Sequence, residues 1–578
     1  MTHSVSQSEK AQPPDVNNLI AAFSSESLKF NPLKATLLGV SDYNHLFLPE
    51  ITLTNRQKEV DFLKKYLKQL KNISPQKLTY QEQLTYELFK HDLEIAIESF
   101  DYPSHYLPFN QIFGAHNAFA LLGSGESAQP FRTLRDYERF IQRAQGFSLW
   151  VDSAINTMRE GAQKGTTHPE AIVKKIAAQL AAHLSYSPSE NIFYQPLQNL
   201  PRSLSVHEKY LLASRYQATV ENTIIASYQK LYHFLVKEYL PLSRKTAGYG
   251  QLENGQNWYR FLVRQYTTSE LSTEEIHRLG LEEVKRIRNE MTQVKEQLEF
   301  EGSLAEFFSY LRQNNDYYFN SEAELLNAYR GIQEKIHGQL YKLFSFAPQA
   351  SYVVKTIPSY RAQAAPGAYY QSPSLDGKVP GIFYINSYNL KAQPRFLVET
   401  LSLHEAAPGH HFQIAIQQES SHLSSYRRFN SYTSFAEGWA LYAESLGKEL
   451  GLFNDPIMWY GRLVDEQLRA MRLVVDTGIH AKGWSREKAI AYMMENSSMA
   501  RSDVVAEVER YMVIPAQALA YKLGERTFQK LRTYASSKLG KDFDIRAFHK
   551  ELLIDGSLPL PILERKLKTW VNSKSFTR

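Results

Sequence analysis

The chain of 578 residues contains no cysteine. This absence excludes disulfides, thiolate metal sites and cysteine nucleophiles, so any metal site must use histidine, aspartate or glutamate. It does not decide the compartment, because a chain without thiols tolerates reducing and oxidising surroundings alike. Glycine (27 residues) and proline (24) are too few for a fibrous or disordered protein, and a hydrophobic content of 43% is ordinary for a globular one.

Charge of one sign is not in large excess either. The 66 Lys and Arg residues against 60 Asp and Glu give a net charge of +6, and no dense basic tract of the kind that binds nucleic acid is present. No apolar run approaches the ~20 residues of a membrane span. The polar start, MTHSVSQSEKAQPPDVNN, lacks the apolar region of a signal peptide. We expect no nucleic-acid partner, no membrane span and a cytoplasmic location, or a periplasmic or lipoprotein form if a leader was removed.

The periodicity of apolar residues predicts the fold class. Amphipathic helical patterns fill most of the chain up to residue 345, and Ser272 with Glu275 has the spacing of a capping box. Between residues 351 and 388, short β-branched and aromatic runs separated by proline and glycine predict a small sheet. Helical periodicity then returns. The prediction is a mainly α, two-lobed fold with a small β-sheet.

The same change of pattern predicts the domain organisation. We expect a polar, disordered leader at residues 1–18, a helical lobe at 19–345, and a second lobe at 346–578 with the short sheet and further helices. One glycine-rich stretch, GSGES at 123–127, resembles a phosphate-binding loop superficially. No Lys-Ser or Lys-Thr follows it, so we reject that interpretation.

A histidine-rich stretch, LSLHEAAPGHHFQ, spans residues 401–413. On a straight helix His404 would share a face with position 408, the spacing that lets two histidines reach one zinc ion. Position 408 is proline, and the next histidines come two and three residues later. Pro408 cannot donate to the carbonyl of His404, and Gly409 tolerates unusual dihedral angles. We therefore expect a bulge that returns His410 to the position one turn after His404.

Three glutamates complete the predicted zinc site. Glu405 follows the first histidine and would point beside the metal, where a general base belongs. A catalytic zinc needs three protein ligands and an open position. Glu437, in the stretch SYTSFAEGWALYAESL, is the third candidate ligand. Glu444 lies seven residues later on the same face of a helix, where it could orient a histidine ligand.

A simpler interpretation competes with the zinc site. Two adjacent histidines after a glycine are more often surface or core residues than ligands, and a lone His-Glu pair carries no information. The combination is more specific: three histidines and a glutamate within eight residues, a physical reason for their spacing, and a pair of glutamates seven residues apart downstream. This combination favours zinc.

The segment from His404 to Gln413 reads His-Glu-Ala-x-Pro-Gly-His-His-x-Gln and resembles the hallmark of the bacterial family called domain of unknown function 885. ELSTEEIHRLGLEEVKRI, EGWALYAE and EVERYMVIPAQALAYKLGE also resemble this family, so the likeness covers most of the chain. The family is similar to gluzincin peptidases of the thimet oligopeptidase and carboxypeptidase Taq kind. This resemblance implies a helical metallopeptidase-like fold with the sheet beside the catalytic helices. Two inserted residues leave His411 open as an alternative ligand, although the Gly-His order favours His410.

Two other groups of residues are candidates for catalysis or substrate binding. Arg472, Asp476 and His480 are spaced four apart on an otherwise apolar helix. They could form a buried hydrogen-bond network. Alternatively, His480 lies near the site and donates to the substrate or orients it.

The second group lies in EVERYMVIPAQALAYKLGE. Peptide hydrolysis needs a donor for the oxyanion, and the phenol of Tyr511 or Tyr521 is suited to that role. Pro515 is expected to open a helix that has Gln517 and Tyr521 on one face. Arg510 would be a natural clamp for a terminal carboxylate if the protein removes single residues from peptide ends.

These observations lead to one predicted function and its alternatives. The strands could hold an extended peptide by edge pairing, with Tyr370 and Asn386 as candidate substrate contacts. We expect a zinc-dependent metallopeptidase that cleaves short unstructured oligopeptides, with Glu405 as the general base. A carboxypeptidase or another zinc amidohydrolase is the alternative enzyme. A non-catalytic peptide-binding protein on a peptidase scaffold is the alternative from another class, although such a protein would not need Glu405.

Overall fold

In a computed structural model of the chain, residues 15–358, 362, 366–374 and 379–575 are described. This part of the chain is mainly α-helical with one small sheet, as predicted. None of its helices is long and apolar enough to cross a membrane. Most of the leader that we expected to be disordered, residues 1–14, lies outside the described residues, whereas the first helix already begins at Val16.

The chain divides into two compact units, residues 1–245 and 246–578. The division falls a hundred residues before the boundary expected at 345, where the sequence pattern changes. The reason is that the intervening helices pack with the C-terminal ones, above all Thr273–Gln297 along Pro456–His480. A change from helical to strand periodicity therefore marks a new element within the second unit and not the start of that unit.

The N-terminal unit is built from helices around an aromatic core. Phe119 stacks on Phe140 and on Phe147, and Trp150 stacks on Phe147. The longest helix of the unit starts at a capping box of Thr133 and Asp136. Its helices are α1 (Val16–Ser27), α2 (Pro32–Leu37), α3 (Leu53–Lys71), α4 (Tyr80–Glu98), α5 (Ala115–Gly123), α6 (Leu134–Gln163), α7 (Glu170–Ala181), α8 (Val206–Thr219) and α9 (Ala226–His233).

The C-terminal unit holds the predicted site. Ser272 and Glu275 form the expected capping box, each bonding the other's backbone amide, and the helix begins at Thr273. The helices are α10 (Gly255–Thr267), α11 (Thr273–Gln297), α12 (Leu304–Gln313), α13 (Glu322–His337), α14 (Val398–Leu401), α15 (His410–Glu419), α16 (Ser425–Phe429), α17 (Thr433–Ser445), α18 (Pro456–His480), α19 (Arg486–Asn496), α20 (Arg501–Tyr511), α21 (Ala520–Leu539), α22 (Ile545–Leu553) and α23 (Leu560–Ser575).

The sheet consists of β1 (Tyr352–Thr356), β2 (Ala368–Gln371) and β3 (Gly381–Ile385). All three strands fall within the predicted segments. The central strand β3 pairs with β1 in parallel and with β2 antiparallel. Because side chains alternate between the faces of a sheet, Val354 and Phe383 lie on one face, where they pack against Tyr329 and Ala406. This packing fixes the sheet against the segment that carries the first predicted ligand.

Helices α17 and α21 approach each other at two glycines. A Cβ atom at Gly524 would lie 2.0 Å from the Ser434 carbonyl oxygen and 2.7 Å from the Cα atom of Gly438. Neither contact leaves room for a methyl group. The position of α17 therefore depends on the absence of side chains at this crossing. This helix carries Glu437 and Glu444, two of the three predicted glutamates.

We expect Gly524→Ala to lower the free energy of unfolding by about 1–3 kcal/mol, because the added methyl group must push two helix backbones apart. The control is Gly331→Ala in α13, where a Cβ atom would meet nothing within 4 Å. That change should stabilise the helix by about 0.5–1 kcal/mol. Urea unfolding followed by circular dichroism measures both, and equal midpoints for the two variants would contradict the close helix crossing.

Candidate metal centre

The chain bends sharply between the two predicted histidine ligands. A π-helical turn, Ser402–Ala406, follows α14, and α15 begins at His410. The Ala407–Pro408 peptide bond between them is cis. A Cβ atom at Gly409 would lie 1.9 Å from the carbonyl oxygen of His404. The expected bulge is thus a complete break between two helices, and only glycine fits at its closest approach.

The break is held by a tryptophan that the sequence analysis did not single out. The indole Nε1 of Trp439 donates a hydrogen bond of 2.8 Å to the Pro408 carbonyl oxygen. Trp439 is fully buried in α17, two residues after Glu437. The same helix therefore carries a predicted ligand and fixes the turn between the other two. Its place in EGWALYAE was the signal that could have identified it.

The structure brings His404, His410 and Glu437 together. The Nε2 atoms of the two histidines lie 3.7 and 3.4 Å from the same oxygen, Oε2 of Glu437, and the three potential ligand atoms lie within 4.8 Å of one another. Ligand atoms of a tetrahedral zinc with bonds of about 2.0–2.1 Å are about 3.3 Å apart. The two measured distances to Glu437 are close to this spacing, so these three side chains could hold one zinc ion.

The electrostatics of this group favour a positive charge between the imidazoles. Burial alone would raise the pKa of Glu437, but His410 and His404 outweigh it and hold the pKa well below its ordinary value. Burial alone would lower the pKa of His404, yet Glu437 and Glu444 raise it well above the ordinary value. The carboxylates thus offset the cost of placing a cation in a buried position.

A second layer of buried carboxylates supports His404. Its Nδ1 atom lies 2.8 Å from Oε1 of Glu444, whose other oxygen accepts a hydrogen bond of 3.2 Å from Thr400. A proton on Nδ1 leaves the Nε2 lone pair facing Glu437, the tautomer that binds a metal. Burial and the nearby Asp465 raise the pKa of Glu444 to about 7. Asp465 is in turn paired with Arg469.

His411 takes no part in this group. Its Nδ1 atom lies 2.9 Å from the hydroxyl of Tyr370, and its ring packs against Tyr352 at a centroid distance of 4.7 Å. Burial lowers its pKa to about 4. The geometry therefore selects His410 and not His411 for the group with Glu437. Tyr370, a predicted substrate contact, instead links β2 to α15, the helix that begins at His410.

Glu405 is half-buried beside His404. Its charge contributes to the raised pKa of the His404 imidazole, and also to that of the buried Tyr329 phenol, where burial is the larger cause. Within the described residues its carboxylate has no hydrogen-bond partner. Among the described residues, this carboxylate next to the predicted ligands is therefore not fixed by a hydrogen bond.

His480 and Asp476 belong to a structural network, which is the first of the two predicted interpretations. Nδ1 of His480 accepts a hydrogen bond of 2.9 Å from the Tyr249 amide, and Nε2 donates one of 2.9 Å to the carbonyl of Tyr511. Asp476 accepts the amide of Ala516 at 3.0 Å. Both ring nitrogens of the buried His480 are used by the backbone, so the predicted role as a donor to substrate does not fit this position.

Tyr511 also differs from expectation. Its side chain is fully buried. Its hydroxyl donates a hydrogen bond of 2.5 Å to Glu507 and accepts one of 3.2 Å from Nε of Arg472. This commitment corrects the preference for Tyr511 as the oxyanion donor, because the hydroxyl is enclosed by its two partners. The identity of a tyrosine in the sequence does not reveal which of several phenols is paired inside the protein.

Tyr521 is also buried, with 8% of its surface exposed. Its hydroxyl lies 3.3 Å from Nη2 of Arg510, which also donates to Gln517 at 2.7 Å. The guanidinium of Arg472 lies over the Tyr521 ring at 4.3 Å. The predicted group of Arg510, Gln517 and Tyr521 is thus present as one cluster. Pro515 does not directly open the α-helix; a short 3-10 turn, Gln517–Leu519, comes first.

Asn386 holds a loop and does not face a substrate. Its side-chain amide donates to the carbonyls of Ala362 and Pro366 at 2.7 and 3.2 Å, and its oxygen accepts the Tyr388 amide at 3.0 Å. With these contacts satisfied by the backbone, the predicted substrate contact has no free polar atom to offer. Asn386 instead fixes the chain around the end of β3.

Comparisons with known proteins give a family and two similar folds. The family model described as "Bacterial protein of unknown function (DUF885)" matches residues 32–567. A protein of Colwellia psychrerythraea, described as a "putative lipoprotein", is 30% identical in sequence; its crystal structure matches with a TM-score of 0.86 over 96% of this chain and 99% of that chain. A protein of Shewanella oneidensis, described as a "putative lipoprotein of unknown function", is 20% identical, with a TM-score of 0.75 over the same shares, and shows a likeness of fold alone. No curated protein is significantly similar in sequence.

The buried position of Tyr511 makes a prediction about stability. Tyr511→Phe removes the hydroxyl that donates to Glu507, and we expect the free energy of unfolding to fall by about 1–3 kcal/mol. Tyr341→Phe, at a tyrosine that is 66% exposed, should change it by less than about 0.5 kcal/mol. Urea unfolding of both variants is the measurement. An unchanged midpoint for Tyr511→Phe would show that the hydroxyl is not bonded as described.

Proposed function

The chain belongs to the bacterial family DUF885, and we propose that it is a zinc-dependent metallopeptidase that cleaves short, unstructured oligopeptides. One observation carries this proposal: two imidazole Nε2 atoms face one oxygen of Glu437 at 3.7 and 3.4 Å. Two further carboxylates add to this support: Glu444 contacts the opposite nitrogen of His404, and Glu405 has no hydrogen-bond partner among the described residues.

His404, His410 and Glu437 would hold the ion. Two nitrogen donors and one carboxylate, with a buried carboxylate behind the first histidine, are typical of catalytic zinc sites. The sequence contains no cysteine, which excludes the thiolate ligands that are common in closed structural zinc sites. When bound, zinc acts as a Lewis acid that polarises a carbonyl group and acidifies water.

Glu405 is the proposed general base. Its carboxylate would take a proton from the attacking water and return that proton to the nitrogen of the leaving amine. The absence of a hydrogen-bond partner in the described residues supports this role, because a carboxylate fixed by neighbours could not move between water and amine. With Tyr511 and His480 engaged elsewhere, Tyr521 is the remaining phenol proposed to stabilise the oxyanion.

The edge of the sheet is the proposed binding surface for an extended substrate. β2 lies at the edge of the sheet and contacts the π-helical turn that carries His404. Within the described residues no strand pairs with its outer side. A peptide that adds to such an edge must be extended, which favours unstructured oligopeptides over folded proteins.

The alternatives make different demands on the same residues. A carboxypeptidase would use Arg510 for the terminal carboxylate. In this structure the guanidinium of Arg510 contacts Glu507, Tyr521 and Gln517, so a substrate carboxylate would have to replace that of Glu507. A peptide-binding protein would need neither zinc nor a free Glu405. The cytoplasmic location expected from the sequence stays a prediction, and the description of two similar structures as lipoproteins supports the periplasmic alternative.

The zinc content of two histidine variants distinguishes His410 from His411 as the ligand. We expect one zinc per chain, lost in His410→Ala and retained in His411→Ala, because only His410 faces Glu437. Loss of one of three protein ligands lowers zinc affinity by orders of magnitude. Elemental analysis after dialysis measures the zinc content, and circular dichroism confirms the fold of each variant. Stoichiometric zinc in His410→Ala, with loss in His411→Ala, would reverse the assignment.

The turnover of a Glu405 variant tests the proposed general base. Glu405→Gln keeps the size of the side chain but cannot accept the proton, so turnover should fall by ~10²–10⁴-fold while zinc content is unchanged. Mass spectrometry of mixed oligopeptides, with free and with amidated C-termini, measures cleavage. Loss of single C-terminal residues from the free peptides alone would indicate a carboxypeptidase. Zinc without any cleavage by the parent protein would indicate a binding protein, and normal turnover by Glu405→Gln would remove Glu405 from the mechanism.

A further inference from the structure

The GSGES segment, rejected as a phosphate loop, borders a cavity in the N-terminal unit. The cavity has a volume of about 340 Å³, within the lower part of the range of small-molecule sites. One wall is the loop after α5, from Ser124 to Arg132, and the other is the 3-10 turn Ile192–Asn199. Nothing in the proposed peptidase mechanism uses this cavity.

A buried arginine fixes the orientation of one side chain in its lining. Arg143 of α6 is completely buried, and its Nη1 donates to Oε1 of Gln129. Its other nitrogens donate to the Leu46 carbonyl at 2.8 Å and to the Thr36 hydroxyl at 2.7 Å. A guanidinium has only donors, so Gln129 must present its oxygen to Arg143. The amide nitrogen of Gln129 therefore faces away from Arg143.

That nitrogen has no acceptor. Gln129 is 1% exposed, and within the described residues neither its Nε2 atom nor the buried Oγ atom of Ser127 has a hydrogen-bond partner. Both residues line the cavity. Buried donors without partners are rare in folded proteins and require an explanation. A ligand that supplies oxygen atoms would satisfy both.

The remainder of the lining indicates the class of ligand. Pro130, Phe131 and Pro196 provide an apolar wall, whereas exposed amides of Gln195 and Gln198 lie at the rim. This combination suits a molecule with an apolar face and many hydroxyl groups, each of which can donate and accept.

Other classes fit less well. An anion would meet the carboxylate of Glu126, and Arg132 is the cavity's one cationic residue in the described lining. An extended peptide would need the edge of a β-sheet to pair with. The described residues up to 245 contain no β-strand. We propose that this cavity binds a neutral saccharide, with Gln129 Nε2 and Ser127 Oγ as the central contacts. The proposal is independent of the peptidase activity.

The decisive variant is Gln129→Glu. It keeps an oxygen for Arg143 and the size of the side chain, but replaces the amide donors with a second oxygen. We expect the variant to fold and to bind saccharide about tenfold or more weakly. Ser127→Ala, which removes a single hydroxyl, should weaken binding less and carries the test if Gln129→Glu does not fold. Gln76→Glu is the matched control, because Gln76 is exposed and its oxygen likewise accepts a hydrogen bond, from Ser74.

The probes are glucose, N-acetylglucosamine and maltose, titrated into the full-length protein and followed by calorimetry and saturation-transfer NMR. The expected result is binding of at least one probe by the parent and by Gln76→Glu, with loss in Gln129→Glu. Binding of none of the three at millimolar concentration would overturn the proposal. Binding by Gln129→Glu as tight as binding by the parent would also overturn it. If Gln129→Glu does not fold, parent-like binding by Ser127→Ala has the same meaning. Binding of a proline-rich peptide in place of the saccharides would overturn the proposal as well.

Discussion

The helix that carries His404 has to end before Pro408, because proline has no amide hydrogen and its ring collides with the preceding turn. Gly409 completes the break, since no side chain fits against the carbonyl of His404. Trp439 then holds the turn through its bond to the Pro408 carbonyl. On an unbroken helix a residue six positions on would be rotated by about 120° from His404. The grouping of the two histidines on one carboxylate therefore depends on this break.

Around the break, charge is buried in pairs and not singly. Glu444 is completely buried and interacts with His404, while Asp465 behind it is paired with Arg469. Removal of one charged side chain leaves its buried partner without an opposite charge. The resulting loss of stability is larger than the stability that the pair contributes. The buried carboxylate of Glu444 thus restrains the orientation of His404. A site of this kind requires a rigid frame, which the close crossing of α17 and α21 provides.

The predictable and the unpredictable residues differ in the range of the interactions that determine them. The strands, the capping box at Ser272 and the irregularity at Pro408 follow from neighbours in the sequence. The strands and the capping box were predicted as they are, whereas the bulge predicted at Pro408 is a complete break. The contacts of His480 are made with residues 31 and 231 positions away. Tyr511 accepts from Arg472, 39 positions away, besides donating to Glu507 one helical turn away. Without these distant partners, the same phenol or imidazole could have faced a substrate. Asp465 gave no signal, because a carboxylate within a long helix is ordinary until its burial is known.

Two adjacent histidines show how local geometry and distant partners combine. One residue along α15 corresponds to a rotation of about 100°, so His410 and His411 must face different neighbours. His410 faces Glu437, and His411 bonds to Tyr370 on the edge strand β2. Any molecule that pairs with the outer side of β2 would act on the strand that holds His411, and through it on the first turn of α15, where His410 lies. The sequence His-His therefore joins the candidate metal centre to the surface on which we propose the substrate binds.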